Sequence, residues 1–324
     1  MKVVITGGSG FIGTNLIEYL SLHNFEIINY DINIPKNFLH TAFWKKVDLL
    51  DKNLLKYELT KDQPEYIIHL AARTDLNETE NISGYDINIS GVENLMSASI
   101  ELPRLNRIII ASSMLVCKLG YQPKNFDDYQ PNNLYGESKV LTEKIVKEYN
   151  NNWVIIRPTS IWGPWFGAPY FNFFKLVING LYFNIPEKKA STKTYGYVQN
   201  SCSQIYSIMI AKHEDVIHKY FYIGDEQPIN ITIWSNLIRS EINKPKLITL
   251  PVEILKIGSC IGDFLQSNFS FKGFPLNTFR YKNMTTDNII NNINETNSLL
   301  INNDLINLEE GIKKTITWIK NINK

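Results

Sequence analysis

Short runs of apolar, often β-branched residues alternate along the chain with longer stretches whose apolar positions recur every three or four residues. Val3-Val4-Ile5, Phe25 to Tyr30, Ala42 to Val47, Tyr66 to Leu70, Arg107 to Ala111 and Trp153 to Pro158 read as strands. Asn15 to Leu20, Ser83 to Glu101 and Tyr135 to Tyr149 read as helices. Strands apolar on both faces and separated by helices predict an α/β, doubly wound parallel sheet. Right-handed crossovers then bring the carboxyl ends of all these strands to one rim.

The pattern changes after Pro158. Aromatic residues crowd positions 165 to 186 and alternation is lost, which predicts a helical excursion covering the crevice. Thr194 to Val198 and Tyr220 to Gly224 are expected to return to the sheet. Helices near Trp234 to Glu241, Pro251 to Leu265 and Glu309 to Ile322 would build a smaller mixed C-terminal lobe. The expected division is a dinucleotide-binding domain over 1–164 with return elements near 193–226, and a substrate lobe made of 165–192 and 227–324.

Composition narrows the function. The 324 residues are 44% hydrophobic and 20% charged, enough for a large core, and the formal net charge is +1 without any Lys/Arg run. Nucleic acid and anionic membrane are thereby set aside as main partners. Cys117, Cys202 and Cys260 have no metal-ligand spacing and are odd in number, so no metal site and a reducing, cytoplasmic setting are expected. A chain opening on a strand predicts no secretory leader. The apolar stretch Leu250 to Leu265 carries Glu253, Lys256 and Asp263 and is too charged to span a membrane. Asn crowding between 288 and 307 is read as compositional bias.

Candidate chemistry begins at Thr6-Gly7-Gly8-Ser9-Gly10-Phe11-Ile12-Gly13, between the first strand and the first helix. Glycines allow a tight turn and let a pyrophosphate approach backbone N–H groups at a helix start, although such a turn also serves as a plain strand-to-helix connection. Asp31 ends the second strand, where a carboxylate accepts from both ribose hydroxyls of NAD and repels the 2′-phosphate of NADP; a turn or helix cap is the other reading. Asp48 follows the third strand, in place to face an adenine. His69 lies inside an apolar run and reads as a core histidine. Ser112 and Ser113 end the fifth strand, and Tyr135 and Lys139 share one helix face. A nearby ammonium favours phenolate and would lower a pKa that starts near ~10, as a general acid/base requires.

Together with His69-Leu70-Ala71-Ala72, Asn88, Arg157-Pro158 and Trp162-Gly163-Pro164, these residues resemble the extended short-chain dehydrogenase/reductases, specifically the NAD-dependent epimerase/dehydratases of nucleotide sugars. The resemblance implies a Rossmann fold, NAD as cofactor and a nucleotide-sugar substrate. It also implies Ser113, Tyr135 and Lys139 as the catalytic set, and Gly7, Gly10, Phe11, Ile12, Gly13, Asp31, Asp48, Leu49, Leu70, Ala71, Ala72, Tyr135 and Lys139 as cofactor contacts.

Departures refine the expectation. Water-eliminating relatives carry Asp-Glu directly after the catalytic Thr, whereas Met114-Leu115 stands here, which speaks against dehydration. Cys117-Lys118 replaces the usual Tyr-Gly. Lys193-Thr194-Tyr195 replaces Arg-Asp-Phe, and Gln199-Asn200 replaces Asp-Asp, so either Lys193 or Arg280 holds the substrate phosphates or the substrate is not a common nucleotide sugar. The expected reaction is NAD-dependent C4 epimerisation through a keto intermediate; the alternative is an NAD(P)H-dependent reductase of a nucleotide 4-keto-deoxysugar. A homodimer through the helices near Asn88 to Ile100 and after Tyr135 is also expected, and sedimentation at micromolar concentration should show a species of twice the chain mass.

Overall fold

The chain divides into two compact units: Met1–Trp165, Gly196–Asp225 and Asn291–Ile306 form the larger, and Phe166–Tyr195, Glu226–Ile290 and Asn307–Lys324 the smaller. The structure, a computed structural model, describes residues 1–269, 277–301 and 305–322.

Seven parallel strands organise the larger unit: β1 (Lys2–Thr6), β2 (Glu26–Asp31), β3 (Trp44–Lys46), β4 (Tyr66–His69), β5 (Arg107–Ala111), β6 (Trp153–Pro158) and the Tyr220–Ile223 strand. Across the sheet they run Tyr220–Ile223, β6, β5, β4, β1, β2, β3. Strand order reverses between β1 and β4, where Thr6 lies opposite His69, and ligands of open α/β sheets bind at the carboxyl ends beside such a reversal.

Alternating side chains explain why both faces are covered. Val3, Ile5, Ile68, Ile109, Val154 and Ile156 join one apolar core with Leu16, Ile17 and Leu20 of α1 (Phe11–Ser21) and Ile205 and Ile208 of the Val198–Ile210 helix. Val4, Ile67, Ile108, Ile110 and Ile155 join another with Leu55 and Leu59 of α2 (Lys52–Asp62), Val92, Leu95 and Met96 of α3 (Asp86–Ser99) and Val146 of α4 (Leu134–Lys147). The chain is therefore doubly wound, as its pattern predicts.

Local chemistry sets the helix starts. Asp51 Oδ1 accepts from Leu54 N–H at the start of α2, and Asn133 Oδ1 accepts from Gly136 N–H at the start of α4. At the β1–α1 turn Gly7 takes φ +74°, donates its N–H to Tyr30 O (2.9 Å) and accepts from Gly10 N–H (3.0 Å). A Cβ on Gly7 would sit 2.5 Å from Ala71 N, so turn, β2 and the residues after β4 close on one point.

Three segments depart from the sequence expectations. Residues Phe38–Phe43 form a 3₁₀ helix and the third strand shrinks to Trp44–Lys46, because Asn37 caps Leu39 N–H and starts a turn ahead of it. Thr194 to Val198 does not join the main sheet: Gly196 and Tyr197 lie beside Ile161 and Trp162, off its edge. Residues 291–306, expected in the C-terminal lobe, belong to the larger unit. Thr296 Oγ1 donates to Tyr222 O at 2.7 Å, Gln204 Nε2 donates to Asn297 Oδ1 at 2.8 Å, and Ile293 is buried.

The smaller unit packs the Tyr170–Ile178 helix on the Ile231–Glu241 helix through an aromatic cluster, with Trp234 within 5.6 Å of the ring centres of Phe173, Phe174 and Tyr195. Thr192–Lys193 pairs antiparallel with Ile229–Asn230, and the Leu308–Ile322 helix sets Trp318 against Phe166.

Thr296→Val removes one buried donor at constant shape and should cost about 1–3 kcal/mol in urea unfolding. Gly7→Ala should destabilise by about 2 kcal/mol or more, since the left-handed backbone penalises Cβ even before the clash with Ala71; thermal unfolding measures it.

Candidate active site

The ends of β1 to β5 in the larger unit carry most of the residues singled out by sequence. The first turn of α1 opens at Gly10 with no side-chain cap. At the end of β2, the half-buried Asp31 accepts from Ser9 N–H through Oδ2 (3.1 Å) and from Asn33 N–H through Oδ1 (2.8 Å). Asp48 is exposed and accepts from Leu50 N–H, while Leu49 is buried under α3, its carbonyl bonded by Asn94. Leu70, Ala71 and Ala72 are half-buried beyond β4, with Leu70 N–H donating to Thr6 O. An uncapped helix start behind a glycine turn, with a carboxylate at the neighbouring strand end, fits a dinucleotide's pyrophosphate and ribose hydroxyls.

Ser113, Tyr135 and Lys139 come together through α4. The helix opens so close to the residues following β5 that a Cβ on Gly136 would lie 2.3 Å from Leu115 O. Tyr135 is 8% and Lys139 1% exposed. Ser113 hydrogen-bonds the Tyr135 phenol and accepts from Leu115 N–H at 3.1 Å. Lys139 Nζ donates to Ala111 O at 2.9 Å.

The electrostatics differ from the sequence expectation. Burial pushes the Tyr135 phenol up to about 12, and the Ser113 hydrogen bond only partly opposes it. The ammonium does not acidify this phenol in the present arrangement, because its partner is the Ala111 carbonyl. Burial also brings Lys139 down to about 8, with the Glu143 carboxylate working the other way. His69 is a core histidine as read from sequence: it is fully buried, its Nδ1 lies 2.7 Å from Thr6 Oγ1, and burial brings it down to about 3.

Asn88 binds the loop after β4 to this helix. Its Oδ1 accepts from Arg73 N–H, its Nδ2 donates to Arg73 O and Ser138 Oγ, and its carbonyl accepts from Thr142 Oγ1. Sequence reasoning passed over Tyr129 and Glu143 and read Arg157 only within a motif. The i, i+4 spacing of Glu143 from Lys139 was the available signal.

The phosphate candidates lie in the smaller unit. Lys193 is buried, donates to Asn283 Oδ1 at 2.5 Å, and is brought down to about 8 by burial. Arg280 is exposed on the Thr278–Thr285 helix. Among the described residues no cluster of His, Cys, Asp or Glu could hold a metal ion, and no helix is long and apolar enough to cross a membrane.

Known proteins resemble this chain in sequence and in fold. A UDP-glucose 4-epimerase of Vibrio cholerae is 25% identical over 265 residues, 78% of this chain and 79% of that protein. A dTDP-D-glucose 4,6-dehydratase of Dictyostelium discoideum is 27% identical over 371 aligned positions, 99% of this chain and 82% of that protein. The solved UDP-glucuronic acid 4-epimerase of Bacillus cereus, in complex with NAD, is similar in fold, with a TM-score of 0.74 at 18% identity and all of both chains covered. Residues 3–202 match the family described as the NAD dependent epimerase/dehydratase family. With its glycine turn, its parallel sheet and most of its length inside that match, the chain belongs to this NAD-using enzyme family.

Proposed function

We propose that the chain epimerises a nucleotide sugar at C4 by oxidation to a keto intermediate and re-reduction. The observation that carries this reading is the meeting of Ser113, Tyr135 and Lys139 on one strand end and one helix, with Met114-Leu115 standing where an elimination would need an acid and a base. Bound NAD would supply the acceptor, and then the donor, of the hydrogen that leaves the sugar carbon with its electron pair. Gly7, Gly10, Phe11, Ile12, Gly13, Asp31, Asp48, Leu49, Leu70, Ala71, Ala72, Tyr135 and Lys139 would hold it.

The residues' own work is proton handling. Tyr135 takes the hydroxyl proton and later returns it, and Ser113 fixes the same oxygen while stabilising the phenolate. With the cofactor bound, Lys139 would turn from Ala111 O toward the phenol and supply the positive field that the present arrangement does not give it. Lys193 or Arg280 would take the nucleotide phosphates. The dimer through α3 and α4 and a cytoplasmic location, the latter resting on three unpaired cysteines, belong to the same proposal.

The purified protein, analysed for bound cofactor, should interconvert one member of a panel of UDP-, GDP-, CDP- and dTDP-sugars by NMR without net NADH consumption. Stoichiometric NAD+ formation from added NADH would instead establish the reductase. Tyr135→Phe should lower turnover by about 10²–10⁴-fold with the thermal transition retained. Activity should fall as pH rises through about 8, because the Lys139 ammonium is present below that value and lost above it; a rate profile from pH 6 to 10 checks the sign.

A further inference from the structure

The buried ion pair between Glu143 and Arg157 has no part in the chemistry assigned above. Both side chains are enclosed, at 0% and 1% exposure. Glu143 Oε1 accepts from Ser112 Oγ (2.5 Å) and Arg157 Nε (2.8 Å), and Oε2 accepts from Arg157 Nη2 (2.7 Å) and Tyr129 OH (2.9 Å). All the acceptor directions of the carboxylate are thus used. Arg157 also donates to Phe126 O and Tyr222 OH, and the rings of Phe126, Tyr129, Tyr220 and Tyr222 surround its guanidinium at 5.2 to 5.7 Å.

An ion pair this dry is weak evidence for stability, since well-packed apolar residues often replace such a pair without loss. What it does specify is a position. Tyr135, Lys139 and Glu143 are spaced i, i+4 and i+8 on α4, and each reaches a different residue at the end of β5: Tyr135 meets Ser113, Lys139 meets Ala111 O, and Glu143 meets Ser112 Oγ. Backbone alternation sends Ser112 toward Glu143 and leaves Ser113 for Tyr135. Ser112 N–H is itself held by Ile156 O at 2.7 Å, next to Arg157.

We propose that Glu143, clamped by Arg157 and Tyr129, is a positioning residue that fixes the end of β5 against α4 and thereby sets the Ser113–Tyr135 pairing and the charge state of Lys139. The inference rests on the proposed catalytic set. Lys139 is faced by Glu143 on its own helix and by His69 from β4. His69 is held neutral by burial, so Glu143 is the one of the two that brings a charge.

The test compares full-length wild type, Glu143→Gln and Ser112→Ala. Glu143→Gln keeps the shape but removes the charge. It should lower kcat about 10- to 100-fold with KM little changed, and move the alkaline limb of the rate profile down by roughly one pH unit. Ser112→Ala should lower kcat less and leave that limb in place. A second readout needs no turnover: NMR titration of lysine side-chain resonances, with Lys139→Met identifying the line, should find Lys139 titrating lower in Glu143→Gln than in wild type. If both variants keep wild-type kcat and the Lys139 titration does not move, or if Glu143→Gln only lowers the melting point while its folded fraction keeps the wild-type profile, the clamp is purely structural and the inference is overturned. Absence of turnover in wild type on every sugar tested would sink the proposed function, and the lysine titration would still decide the role of Glu143.

Discussion

The close approach of α4 to the end of β5 is the constraint on which the candidate site depends. A parallel sheet buried on both faces presents its strand ends as the place where polar backbone and side chains can gather without disrupting the core. In this chain the helix start has no room for a side chain at Gly136, and three groups at four-residue intervals bond to Ala111, Ser112 and Ser113. Moving α4 by a fraction of an ångström would disturb all three contacts together. Asn88 extends the same constraint to the loop after β4 by gripping the Arg73 backbone and Ser138 at once.

Burial and partnership compete throughout this region, and different residues resolve the competition differently. At Tyr135 and Lys139 desolvation wins, leaving a phenol at about 12 and an ammonium at about 8. At Arg157 the bidentate carboxylate wins over desolvation, and the guanidinium stays charged. Desolvation thus governs the two groups proposed to handle the proton, whereas the Glu143–Arg157 pair is locked in its charged form.

The two units solve their packing by different means. The larger buries aliphatic strands between helices on both faces, so every sheet residue has a core to enter. Among the described residues the smaller has a single short strand pair, and Trp234 with Phe173, Phe174 and Tyr195 supplies bulk that a sheet would otherwise give. Lys193, on that strand pair, is drawn inside and engaged by Asn283, which makes it a different kind of cation from the exposed Arg280.

Sequence alone determined what depends on nearest neighbours and on periodicity. The glycine turn, the apolar runs of β1, β2, β4, β5 and β6, the long helices and the shared face of Tyr135 and Lys139 were legible, because each follows from spacing along a few turns or strand residues. Tertiary structure decided the rest. Whether Lys139 spends its proton on the phenol or on Ala111 O depends on how far α4 lies from β5, which no local pattern encodes. The Glu143–Ser112–Arg157 contacts join positions that only the strand order makes neighbours, and residues 291–306 find their unit through Tyr222 and Gln204, about seventy to ninety positions earlier. The turn that Asn37 begins, which runs into the expected strand Ala42 to Val47, is the local exception, where a side-chain cap prevailed over apolar pattern.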